Sequence, residues 1–266
     1  MAFELFTAAN GVKYYRSSFL RSKHGFSTRI GGVSSLPHTS SLNLAFGRGD
    51  ADEIVLSNLA LFAEAVGVDE KSIVSHPQIH SAKVITVGEN NRGEGYFVST
   101  DIGCDGYVTA YPGVSLGVKT ADCVPILFED TEAGVIGAAH AGWRGAVSNI
   151  VAECISAMKS LGAEPRRIRA AVGAAIHPCC YCVGKDFLAA ATDIAGRDVA
   201  NTFITPRDGR LYADNVGINR HFMLEAGLLP DNIDICPLCT CCNPELFYSH
   251  RYSKGLRGTM LSIIAL

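Results

Sequence analysis

Residues 115–145 read Ser115-Leu-Gly-Val-Lys-Thr-Ala-Asp-Cys-Val-Pro-Ile-Leu-Phe-Glu-Asp-Thr-Glu-Ala-Gly-Val-Ile-Gly-Ala-Ala-His-Ala-Gly-Trp-Arg-Gly145. Three short apolar runs, Ser115–Lys119, Val124–Phe128 and Val135–His140, predict strands, because four to seven residues suit a buried strand and not a helix. The third runs through Gly142 into an amphipathic stretch, Gly145–Leu161, with Ile150, Val151, Cys154, Ile155 and Met158 on one face of a predicted helix.

Outward from this block the pattern continues. Asp50–Val66 predicts a helix, capped by Asp50 or Asp52 and stopped at Gly67. Lys83–Val87, Gly106–Thr109, Arg169–Val172 and Met260–Leu266 predict strands, and Lys185–Ala195 and Asn215–Leu228 predict helices. The first fifty residues, rich in Gly, Ser and Arg, read as loops between short edge strands. The same mixture suits a loop around a polar ligand, since glycine lets backbone N–H groups approach it. Strands crowd the middle and helices are interspersed. The fold class expected is α+β, a single domain over 1–266 with mixed β-sheets flanked by helices.

Composition bounds the function. The chain has 266 residues, 48% hydrophobic, with 23 basic and 26 acidic side chains and a net charge of −3. That excludes disorder and gives no basic tract for nucleic acid. No run approaches the roughly 18 apolar residues that span a membrane. Met1–Leu20 carries Glu4 and no long apolar core, so a cytoplasmic location is expected. In a reducing compartment the ten cysteines are core residues, metal ligands or nucleophiles before they are disulfides. The P-loop, dinucleotide and nucleophile-elbow motifs are missing from the sequence. Pro178-Cys-Cys-Tyr-Cys182 matches half of the zinc-deaminase signature, but no His is followed two residues later by Glu.

Three segments bear chemistry: Pro77-Gln-Ile-His80, Lys119-Thr-Ala-Asp-Cys-Val-Pro125 and Ala138-Ala-His-Ala-Gly-Trp-Arg-Gly145. His80, Cys123 and His140 make a two-nitrogen, one-sulfur set that suits zinc with one position left open. The same residues also allow a Cys-His nucleophile pair, or a buried cysteine with two satisfied histidines. Asp122 adjoins Cys123 but is not assigned as a base, because an extended backbone turns neighbouring side chains apart. Trp143 is expected in the core. A second four-thiolate zinc site is conceivable from Cys179-x-x-Cys182 with Cys236-x-x-Cys239, or from the overlapping Cys239-x-x-Cys242.

Thr120-Ala-Asp-Cys-Val-Pro125 and His140-Ala-Gly-Trp-Arg-Gly145 resemble the YfiH-type family, once called polyphenol oxidase laccases and now described as purine nucleoside phosphorylases. The likeness continues through His24-Gly-Phe-Ser-Thr-Arg-Ile-Gly-Gly-Val-Ser34, Ser41-Leu-Asn-Leu44, Gln78-Ile-His80, Gly173–Gly184, Phe247-Tyr-Ser-His-Arg251 and Gly255-Leu-Arg-Gly258. The resemblance implies zinc on His80, Cys123 and His140; copper is less expected from the sequence itself, since none of the eight histidines is followed two residues later by another. The resemblance implies substrate contacts from Arg29, Asn43 and Arg251. It implies cleavage of adenosine, inosine, guanosine or methylthioadenosine by phosphate, with adenosine deamination as a second activity. The partners implied are purine nucleoside and phosphate, without nucleic acid or membrane, in a monomer or weak oligomer. A Cys-His hydrolase acting on peptidoglycan precursors, a copper-dependent polyphenol oxidase and a zinc-stabilised non-catalytic binding protein are the competing readings. Ala174, His250 and the thiols Cys179, Cys182, Cys241 and Cys242 depart from the family pattern.

Overall fold

The computed structural model describes residues 3–266. In chain order its elements are β1 (Phe3–Thr7), β2 (Lys13–Ser17), β3 (Lys23–Ser27), α1 (Asp52–Val66), β4 (Ile73–Val74), β5 (Val84–Thr86), β6 (Gly106–Thr109), β7 (Ser115–Thr120), β8 (Val124–Asp130), β9 (Val135–Ala141), α2 (Trp143–Val147), α3 (Ile150–Ser160), β10 (Arg169–Val172), β11 (Cys182–Val183), α4 (Lys185–Ala195), α5 (Arg197–Phe203), β12 (Ile204–Arg207), β13 (Arg210–Ala213), α6 (Asn215–Glu225), β14 (Ile233–Ile235) and β15 (Met260–Ala265).

Two six-stranded mixed sheets carry the fold, in the orders β1-β2-β3-β15-β7-β4 and β14-β10-β8-β9-β6-β5, with a small sheet β11-β13-β12 beside them. The α+β architecture with mixed sheets and flanking helices is the one expected. Period-two alternation explains the layering. In β15, Leu261 and Ile263 pack with Val55, Leu59 and Phe62 of α1, whereas Met260 and Ile264 face the other sheet. In β8, Leu127 joins that inter-sheet core, while Ile126 and Phe128 face α3 and its neighbours. Each strand is apolar on both faces because helix covers one and sheet the other, so these strands read as continuous apolar runs.

Three predicted elements differ. The stretch Gly145–Leu161 is two helices, because Asn149 sits in the left-handed region (φ +60°) and caps α3 by accepting from the Ala152 N–H at 3.0 Å. Neither Asp50 nor Asp52 caps α1: Ala51 occupies the cap, with no side-chain bond, and Asp52 opens the first turn. Gly67 does end it, at φ +81°. β3 is no edge strand but lies between β2 and β15.

Candidate active site

The site forms where the chain crosses between the two large sheets. β4 belongs to one and β5 to the other, and His80 lies on the segment joining them. β7 and β8 are likewise in different sheets, and Cys123 ends the three-residue link between them. His140 lies at the end of β9, opposite Pro125 of β8. There Ala139 and Ala141 pack toward the helices, so alternation turns His140 to the inter-sheet side.

The three side chains converge. One ligand atom from each of His80, Cys123 and His140 falls within 4.8 Å of the other two. The imidazoles of His80 and His140 meet edge to face, centroids 4.9 Å apart. The donor set is one that a tetrahedral borderline-soft ion accepts, with a coordination position to spare.

Asp105, fully buried immediately before β6, organises the trio. Its Oδ1 accepts from His140 Nδ1 at 2.8 Å and from the His80 N–H at 3.0 Å. Its Oδ2 accepts from the Ser81 N–H at 2.7 Å and from Ser81 Oγ at 2.9 Å. The aspartate therefore fixes His140 with Nδ1 protonated and Nε2 free to coordinate. It also holds His80 in the left-handed region, φ +57°, a conformation that a non-glycine residue keeps only when its surroundings impose it. Gln78 makes a two-point contact beside it. Its Nε2 donates to the Lys119 carbonyl and its Oε1 accepts from the Lys119 N–H, each at 2.7 Å, so the His80 segment is docked on β7.

Local electrostatics follow from burial and charge. Burial pushes the His140 imidazole down, but the Cys123 sulfur and the Asp105 carboxylate outweigh it and lift it to about 9. Burial, with His140 alongside, lowers His80. Burial takes Lys119 down to about 8. Burial and the neighbouring Arg48 take Arg257 down to about 10.

Two cavities open here, one on all three residues and one on His80 and Cys123. The larger, about 730 Å³, is lined by His80, Cys123 and His140, by Arg48, Lys119 and Arg257, and by Phe46, Tyr96 and Phe97. The smaller, about 320 Å³, is lined by Asp122, Trp143, Tyr181, His250 and Arg251. His80, Ala121, Cys123 and Arg257 line both. Arg257 spends Nη1 on the Gly258 carbonyl and Thr259 Oγ1, while its buried Nε has no partner among the described residues.

Arg251 thus lines the smaller cavity with His80 and Cys123. Arg29 and Asn43 line neither. Arg29 donates to the carbonyls of Ser40 and Pro244, both at 2.9 Å, and its guanidinium lies over the Tyr248 ring. Asn43 is fully buried and bonds Ala45, Asp50 and the Thr259 N–H. Asp122 is engaged by Thr240 Oγ1 at 2.6 Å and by the Arg251 N–H at 2.7 Å. Trp143 packs on Phe187, ring centroids 5.2 Å apart, and also lines the smaller cavity. Sequence reasoning missed Asp105, Lys119 and Arg257. The last two stand in segments already singled out, and a basic residue four positions before Cys123 was the available signal.

Residues 23–266 match the family described as multi-copper polyphenol oxidoreductase laccase. The chain belongs to that family, the YfiH-type group. A purine nucleoside phosphorylase of Deinococcus radiodurans is 38% identical over 258 residues, covering 97% of this chain and 94% of the relative. An enzyme named adenosine deaminase RL5, from an unknown prokaryotic organism, is 32% identical over 258 residues, covering 90% and 94%. The crystal structure of the Bacillus licheniformis hypothetical protein YfiH superposes with a TM-score of 0.86 at 30% identity, over 100% of this chain and 96% of that one. Among the described residues no helix is long and apolar enough to cross a membrane.

Proposed function

We infer that the chain is a zinc-dependent purine nucleoside phosphorylase: adenosine, inosine, guanosine or methylthioadenosine and phosphate give the free base and a ribose 1-phosphate. The observation that carries this reading is the convergence of His80, Cys123 and His140 at a large cavity also lined by Arg48, Lys119 and Arg257, with His80 and Cys123 shared by a second cavity that holds Arg251. The names borne by its relatives agree with it.

His80, Cys123 and His140 would hold the metal. Their donors fit zinc by kind and spacing, and only two imidazoles reach the position, which disfavours a multi-copper centre. When bound, zinc supplies Lewis acidity toward an oxygen ligand, bringing a water toward ionisation near neutral pH. The protein's own groups do the rest. Arg257, with its orphan Nε, and Lys119 present positive charge to phosphate in the larger cavity. Phe46, Tyr96 and Phe97 offer aromatic surface to the purine there. Arg251 lines the smaller cavity beside His80 and Cys123 and brings positive charge there. Adenosine deamination, with water in place of phosphate and ammonia as the second product, is the side activity to look for, given the name of one relative.

The deciding test is incubation of metal-loaded protein with each nucleoside, with and without phosphate, followed by chromatography. Phosphate-dependent release of base is expected, together with its loss in Cys123→Ala. Turnover that survives chelation but stops on alkylation of Cys123 would instead establish a Cys-His hydrolase. Metal binding with no turnover of any nucleoside would leave a binding protein.

A further inference from the structure

A second cluster lies apart from the trio. β10 and β14 pair in parallel, so the segments that follow them leave the sheet side by side. Backbone bonds continue the pairing: the Cys236 N–H donates to the Val172 carbonyl and the Thr240 N–H to the Ala175 carbonyl, both at 2.9 Å. On this stitched base four sulfurs meet, those of Cys179 and Cys180 from one segment and of Cys239 and Cys242 from the other, all within 4.8 Å of one another. Cys242 Sγ lies 3.3 Å from Cys180 Sγ and 3.6 Å from Cys179 Sγ. Cys182, on β11, and Cys236, in the inter-sheet core, stand outside the cluster.

We propose that Cys179, Cys180, Cys239 and Cys242 bind one structural zinc ion as a closed tetrathiolate site. Zn–S bonds of about 2.3 Å place tetrahedral sulfurs roughly 3.8 Å apart, which matches the cluster; a multi-iron cluster holds its cysteines farther apart. Four thiolates around a divalent cation carry two negative charges, and two guanidinium groups flank the position. Arg207 donates to the Cys179 carbonyl at 3.3 Å and Arg251 to the Cys180 carbonyl at 3.0 Å. The His177 N–H donates to Cys239 Sγ at 3.4 Å, an outer bond of the kind that orients a ligating sulfur. Binding sends the four thiol protons to solvent and leaves every sulfur in its reduced state.

The site has a structural consequence. Thr240, between two of the ligands, holds Asp122, and Asp122 holds the Arg251 backbone next to Cys123. The ion would therefore lock the wall of the smaller cavity.

Metal analysis of three proteins tests this without reference to turnover. Wild type is expected to hold two zinc ions per chain. Cys179→Ser with Cys242→Ser is expected to hold one. A triple variant of His80, Cys123 and His140 to Ala is expected to retain one, and on cobalt substitution to show the near-ultraviolet thiolate-to-cobalt absorption of a four-sulfur site. If the serine pair fails to fold, wild type serves. Iodoacetamide footprinting by mass spectrometry should find Cys179 and Cys242, both exposed, protected with zinc and labelled after chelation. A triple variant devoid of metal, iron in place of zinc, labelling indifferent to zinc, or a disulfide joining Cys242 to Cys179 or Cys180 overturns the proposal. Loss of metal from the trio alone bears on the catalytic reading and leaves this one standing.

Discussion

The buried carboxylate of Asp105 accepts the Nδ1 proton of His140 at 2.8 Å, and its other oxygen takes the Ser81 N–H next to His80. One side chain thus orients two of the three candidate metal donors. Asp105→Asn keeps the volume but loses the charge and offers one carbonyl oxygen where two oxygens accepted. His140 is then free to adopt the other tautomer, with a proton on the nitrogen that faces the metal. Partners of this kind typically govern metal affinity by about 10–100-fold. Asp105→Asn is expected to weaken zinc binding within that range, read by competition against a chromophoric chelator, and to lower turnover with it. Unchanged affinity would remove Asp105 from the site.

Gly142 gives a cleaner test of the trio itself. Its backbone, φ −62° and ψ 164°, is open to any residue, so the glycine is not there for conformation. What it supplies is room: a Cβ would collide with His80 Nδ1 and crowd His140 Cε1. Gly142→Ala should displace His80, cut zinc affinity and phosphorolysis at least tenfold, and shift the melting temperature of the metal-free protein little. An alanine variant with wild-type affinity would show that His80 is not a ligand.

These two residues mark what a sequence conveys and what it hides. The meeting of His80, Cys123 and His140 was legible because Cys123 and His140 stand at strand ends among small residues and His80 shortly before one, and the strands around them follow the apolar pattern: Gly106–Thr109 and Arg169–Val172 fall where periodicity put them. Asp105 was hidden because its role rests on backbone N–H groups of residues 80 and 81, which no side-chain pattern announces. β3 was misjudged because Lys23–Ser27 has little apolar character of its own; its interior place comes from pairing with β15, more than 230 residues later. The β12–β13 hairpin escaped notice although Asp208-Gly209 is a recognised hairpin turn. Cys180 was passed over because C-x-x-C spacing favoured Cys182, whereas the chain brings adjacent cysteines to Cys242.

Acid should destabilise the fold through His24. The ring is buried in β3, with Nδ1 donating to the Ser22 carbonyl at 2.8 Å and Nε2 accepting from the Ser17 N–H at 3.0 Å. That pairing requires the neutral ring, and burial holds its pKa below the ordinary 6.5. The unfolded chain therefore binds the proton more readily than the folded one. Stability is complete above pH 6.5 and falls as pH drops below it toward the depressed folded value. Urea unfolding at pH 7.5 and pH 5 should show this loss, and His24→Gln should reduce the difference between the two. An equal difference in the variant would place the acid sensitivity elsewhere.

Phosphate recognition can be separated from metal binding at Arg257 and Lys119. Among the described residues the Arg257 guanidinium keeps its Nε unpartnered beside the larger cavity, and its hydrogen bonds go to Gly258 and Thr259 and not to the trio. Arg257→Ala should raise the phosphate KM at least tenfold and leave zinc content at the wild-type value. Lys119 adds a pH signature. Burial sets its pKa at about 8, so its charge is present below that value and lost above it. Phosphate affinity should decline as pH rises through about 8, and Lys119→Met should start weaker and lose that decline. Methionine keeps most of the aliphatic stem against Tyr96, over whose ring the ammonium sits at 5.1 Å, so packing is largely preserved. If KM for phosphate were indifferent to both substitutions, the anion would have to bind on the Arg251 side of the trio, and the assignment of the two cavities would reverse.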